Sequence, residues 1–158
     1  MTKFARIALV ALLVLAFAIP AYAAVSYQSG HYVGTTSQKN SKGHHRKISF
    51  HANFDAQEIT NIKFVSTGTC SDGGDSHGSQ GSHGSHLSAS VNDNGDFKLD
   101  TKSKNGATKL TLRGHIEGKK ANGTFKVVSH FTKDGKSDPN GSVTCTSHKV
   151  TWKAKKVS

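Results

Sequence analysis

Asn-Gly occurs at Asn94-Gly95, Asn105-Gly106, Asn122-Gly123 and Asn140-Gly141, and Asp134-Gly135 adds a dipeptide of the same chemistry. A type I′ hairpin turn needs positive φ at both central residues, which Asn and Gly reach at least cost. Repeated along one chain, this signal predicts sequential antiparallel hairpins. The intervening segments agree, because their apolar residues alternate with polar ones and do not recur at helical spacing. In KISFHANF, Ile48, Phe50, Ala52 and Phe54 fall on one face, and Lys47, Ser49, His51 and Asn53 on the other. The same period groups Ile62 with Phe64, Leu87 with Ala89 and Val91, and Phe97 with Leu99. It also groups Leu110, Leu112, Gly114 and Ile116; Phe125, Val127 and Phe131; and Val150, Trp152 and Ala154. The expected fold is all-β, an antiparallel meander of about eight to nine strands forming a sandwich or a barrel. Phe50, Phe64, Phe125 and Trp152 are expected to share its core.

The N-terminus reads as an address. Lys3 and Arg6 precede an apolar run from Ile7 to Ile19, which is followed by Pro20 and Ala-Tyr-Ala. That order matches a secretory signal peptide cleaved after Ala23, and the run falls short of the ~20 apolar residues of a spanning helix. Residues 1–23 are thus assigned to export, and residues 24–158 to a single β-domain with no further transmembrane segment. The expected location is secreted, or the cell envelope or periplasm. Two cysteines, Cys70 and Cys145, then fall in an oxidising compartment, where the even count predicts one disulfide.

GHYVGTTSQ, then Ile48 and Phe50, Cys70, NGDF, GHIEGKKANGT, Cys145 and TWKA follow one another along the chain. In that order they resemble a group of small exported bacterial β-domains. The group shares a G-x-Y-x-G-x-T-S-Q start, two cysteines and a terminal W-x-A. The resemblance spans nearly all of Gly30 to Ala154 and implies an exported β-domain with a Cys70–Cys145 bridge. It carries no activity with it. The glycine-, serine- and histidine-rich segment after Cys70 lies outside the shared pattern.

Catalytic motifs are hard to find. The one G-x-S-x-G match, Gly74 to Gly78, lies inside the glycine- and serine-rich run and not at a strand-to-helix turn, and both cysteines are accounted for by the bridge. DGKS at Asp134 lacks the leading glycine of a phosphate loop, and NDNGD fails the ligand spacing of a calcium loop, with Ser103 where a glutamate is required. Most aspartates lie in turns, where they bond their own backbone. Asn122 and Asn140 match the N-glycosylation acceptor, but the turn reading already accounts for both. No catalytic residue is assigned, and the chain is read as non-enzymatic.

Histidine is the unusual component, with ten residues against ten acids. His44 and His45 stand in a basic loop that opposes a divalent cation. The segment SDGGDSHGSQGSHGSH, residues 71–86, is read as a long flexible loop. Its His77, His83 and His86, with Asp75, form the candidate metal set, because imidazole suits Zn²⁺, Cu²⁺ or Ni²⁺. A solvated polar loop without metal is the competing reading.

The formal net charge of +11 falls by the charges of Lys3 and Arg6 on export. An exported protein does not meet chromosomal nucleic acid, so the partner to expect is an anionic envelope polymer or acidic polysaccharide. The plainer reading is solubility, since the lysines look scattered along the sequence. WKAKK, the one dense run, reads equally well as a basic cluster or as an alternating edge strand with outward lysines. The leading expectation is an envelope-associated or extracellular binding or accessory protein with a basic surface. The alternative is weak transition-metal binding through residues 71–86.

Overall fold

A computed structural model describes residues 28–80 and 87–158. The signal-peptide assignment, residues 1–23, lies outside them, as do His83 and His86. The described chain is all-β, with strands β1 (Gly30–Lys39), β2 (His45–Asn53), β3 (Glu58–Cys70), β4 (Asp75–Gln80), β5 (Ala89–Ser90), β6 (Asp96–Lys102), β7 (Thr108–Glu117), β8 (Lys120–Phe131), β9 (Val143–Thr146) and β10 (Val150–Lys156). Six of them close a barrel in the order β10-β1-β2-β3-β9-β8, completed by the β10–β8 ladder. β7 and β6 continue the sheet beyond β8, and β4 and β5 pair with β3. The choice between sandwich and barrel is therefore a barrel.

Closure corrects the reading of WKAKK. β10 is no edge, because Lys153 pairs with Thr35 on β1 and with Asn122 on β8. The alternation itself holds: Val150, Trp152 and Ala154 are buried, and Lys153 and Lys155 are exposed.

The motif GHYVGTTSQ shows how one strand serves the barrel. Tyr32 and Thr36 are buried, and Tyr32 stacks on Phe50 with ring centroids 5.2 Å apart. Farther along the same strand, the Gln38 side chain donates from Nε2 to the Thr67 carbonyl at 2.6 Å and accepts from the Thr67 N–H at 3.0 Å. An amide thus stands in for a strand partner beside the β1–β2 register shift between Thr35 and Lys39. Phe50, Phe64, Phe125 and Trp152 share one core, with Leu87 and Leu99 packed against it. Phe54 does not join them. It follows the end of β2, in the turn before β3, and is 47% exposed, so the alternation stops before it. Phe131, half-buried at the end of β8, is also outside the core cluster.

The turns are tight but of another type than expected. The same four-residue turn recurs at Asn40–Gly43, Cys70–Gly73, Asn92–Gly95, Ser103–Gly106 and Thr132–Gly135. In each the glycine N–H donates to the carbonyl three residues back at 2.8–3.0 Å. Each glycine has φ between 75° and 85°, whereas Asn94, Asn105 and Asp134 keep negative φ. This is a type I turn followed by a left-handed glycine, not type I′. The first residue explains the choice. Asn40 Oδ1 accepts from the N–H groups of Lys42 and His44, and Asn92 Oδ1 from those of Asn94 and Asp96, each at 2.9–3.0 Å. In four of the five turns the signal therefore includes an Asn, Ser or Thr three residues before the glycine; the fifth has Cys70 there.

Asn122-Gly123 is not a turn. Both residues lie inside β8, and the β7–β8 hairpin turns instead at Gly118-Lys119, with Gly118 at φ 54°. Asn140 does lie in a turn, where Gly141 N–H donates to Asp138 O at 3.0 Å.

The predicted disulfide is present. Cys70 on β3 and Cys145 on β9 face each other in register and are bonded.

Candidate functional site

Two surface regions gather chemistry. The first is a basic wall. Residues paired directly across a ladder point to the same side of the sheet, so the registers can be read as rows. One outward row runs His115, Asn122, Lys153, Thr35, Lys47 across β7, β8, β10, β1 and β2. The next runs Glu117, Lys120, Lys155, Val33, Ser49, Lys63 and reaches β3. Arg113, Thr124 and Thr151 form a third. Lys47, Lys63, Arg113, Lys120, Lys153 and Lys155 are all exposed there, against Glu117 and, where β6 extends the first row beyond His115, Asp96. Lysines scattered in sequence are thus gathered by register.

The middle of this wall is concave, enclosing about 930 Å³. Val33, Thr35, Thr124 and Thr151 line it, with Lys120, Lys153, Lys155 and Val157 beside them. Three acids are held in ion pairs with close neighbours among the described residues. Asp96 meets His115 at 2.8 Å, Asp100 meets Lys98 at 2.6 Å, and Asp134 meets Lys136 at 3.0 Å. The hydrogen bond from Lys98, then one from Thr111, hold Asp100 below its ordinary value. Bonds from Thr132, then Lys136, do the same for Asp134. Among the described residues, Lys120, Lys153 and Lys155 make no ion pair.

The second region is a groove of about 490 Å³ at the barrel rim, between the β1–β2 turn, the β3–β4 hairpin and the β9–β10 connection. It holds what can be described of the metal set. Asp75 and His77 lie two residues apart on β4, opposite Thr69 and Thr67, and both line the groove with His148. The expectation of one flexible loop over residues 71–86 is corrected here. Its first half is a turn and a strand, because the turn at Cys70–Gly73 folds the chain back onto the long β3, whose backbone groups need partners. At Thr69 both edges of β3 are occupied, by Asp75 and by Thr146.

No three His, Cys, Asp or Glu side chains are gathered closely enough for a metal ion among the described residues. His148 Nε2 is instead hydrogen-bonded to Thr69 Oγ1 at 3.1 Å. Of the remaining histidines, His31 and His51 stack face to face at 4.5 Å, and His45 Nδ1 lies 2.8 Å from the Thr36 carbonyl oxygen. Sequence reasoning missed Arg46, which lines the same groove. Its parity with Ile48 and Phe50 on β2 was the available signal.

The chain matches no family model, no curated protein and no solved structure.

Proposed function

We propose that this protein is an exported, non-enzymatic binding module that holds an acidic polysaccharide or similar anionic polymer at the cell envelope or outside it. The observation carrying this reading is the Lys120–Lys155 pair, two cations directly opposite each other with Lys153 on the adjacent row. Like charges in that arrangement destabilise a ladder. A polyanion lying along β8, β10 and β1 would relieve the repulsion at several sites at once. The concavity supports an extended ligand, and its threonines and Asn122 supply hydrogen-bonding groups beside the charge. The one aromatic ring of the named rows, His115, is held by Asp96 at 2.8 Å, so the mode is ionic and polar.

Retention of the mature protein on immobilised heparin and alginate tests the reading. Binding should fade as salt rises above about 0.1 M, where the screening length falls below ~10 Å. Lys120→Glu, Lys153→Glu and Lys155→Glu combined should abolish it. Retention unchanged by those three substitutions would remove the wall from the mechanism.

Transition-metal binding is the second reading, favoured by Asp75 and His77 sharing one groove. Calorimetric titration with Zn²⁺ distinguishes it, since uptake through this set should vanish when His77, His83 and His86 are replaced by alanine.

A further inference from the structure

Among the described residues the rim groove has one buried donor without a partner, and its neighbours show why that matters. Gln38 spends its amide oxygen and nitrogen on the Thr67 backbone. Ser147 Oγ accepts from Val127 N–H at 2.9 Å and donates to the His148 carbonyl at 3.0 Å. Thr69 Oγ1 is engaged with His148 Nε2. His148 holds φ 52°, a conformation uncommon outside glycine, and its N–H donates to Thr146 Oγ1 at 3.1 Å. These neutral groups are thus tied into the fold. Arg46 is the exception: its Nε is buried without a hydrogen-bond partner among the described residues.

We infer that this groove is a binding site for a small carboxylate monoanion, with Arg46 as its anchor. A buried guanidinium N–H left unpaired is costly, and such groups in folded proteins are nearly always satisfied by protein, water or ligand. The planar guanidinium fork presents adjacent N–H groups at the spacing of carboxylate oxygens, a match the tetrahedral ammonium of lysine lacks. Charge selects the valence. Lys39 and Arg46 face one carboxylate, Asp75, in the same groove, and no Arg46–Asp75 ion pair forms among the described residues. The surplus favours a single negative charge over a dianion. This site is separate from the basic wall, and its test does not depend on polymer binding.

The Arg46 side-chain Nε–Hε resonance of the disulfide-bonded mature protein reads the site directly. Titration with D-glucuronate should move that resonance saturably, and inorganic phosphate should bind more weakly. Lys39→Gln should weaken glucuronate binding, Arg46→Lys should weaken it by about tenfold or more, and Asp75→Asn should tighten it by removing the competing carboxylate. Should Arg46→Lys fail to fold, the wild-type resonance and the other two variants still decide the question. No saturable shift with glucuronate, stronger binding of phosphate, or loss of binding in Asp75→Asn would each overturn the inference.

Discussion

Gly114 on β7 and Gly123 on β8 stand directly opposite each other, and the Trp152 indole occupies the space that side chains there would fill. A Cβ built on either glycine would come within 2.6 Å of Trp152 Cζ2. At Gly123 it would also collide with the Arg113 carbonyl oxygen, and at Gly114 with the Phe97 ring. Neither position has positive φ, so space and not backbone conformation requires glycine. Gly123→Ala should therefore destabilise the protein by about 1–3 kcal/mol, the usual cost of overpacking a filled core. Urea denaturation measures it, and a loss no larger than the scatter of surface substitutions would show that Trp152 can move aside.

Two phenylalanines that alternation treats alike should respond differently. Phe125 is buried against Phe64, with ring centroids 4.4 Å apart, whereas Phe54 is 47% exposed beyond the end of β2. Truncation to alanine should cost about 3–5 kcal/mol at Phe125 and under about 1 kcal/mol at Phe54. Equal losses in the two variants would contradict the burial pattern.

What the sequence disclosed was mostly local. Alternation and turn chemistry act within a few residues, so the strands and the turns at Gly95, Gly106 and Gly135 were legible before the fold was known. Asn122-Gly123 looked the same locally, but Trp152, distant in sequence, decides its role. The type I turns needed one more position, the Asn, Ser or Thr three residues before Gly43, Gly95, Gly106 and Gly135. The wall was hidden for a related reason. Lys47, Lys120, Lys153 and Lys155 become neighbours only through ladder registers, which closure of the barrel sets. Arg46 carried a weak mark, a charged residue at core-facing parity, and nothing nearby in sequence identified the groove it lines.

The Cys70–Cys145 bridge joins residues 75 positions apart and ties β3 to β9, where the ladder between those strands is short. Loop-closure entropy assigns a bridge of that span about 4 kcal/mol. Replacing both cysteines by alanine should lower stability toward that amount and make the unfolding midpoint insensitive to reductant. A midpoint in the oxidised wild type that also ignores reductant would show that the bridge adds nothing to stability.

Tyr32 predicts an alkaline limit to stability. The side chain is fully buried, and its hydroxyl lies 2.8 Å from both the Gln28 and the Gly118 carbonyl oxygens, which compete for its single proton. Burial, only partly offset by the backbone contact at Gln28, raises its pKa above the ordinary 10.0. A phenolate there would lose its proton donor and face carbonyl oxygens, so the folded state resists ionisation. The contribution is fully present below the unfolded value and is lost as pH rises from about 10 through the folded value, because the unfolded chain releases its proton first. The melting temperature should fall over that range. Tyr32→Phe tests the assignment. It should cost on the order of 1 kcal/mol at neutral pH through the lost hydrogen bond, yet decline less steeply above pH 10 than the wild type. Parallel declines in the two proteins would leave Tyr32 without a share in the alkaline loss.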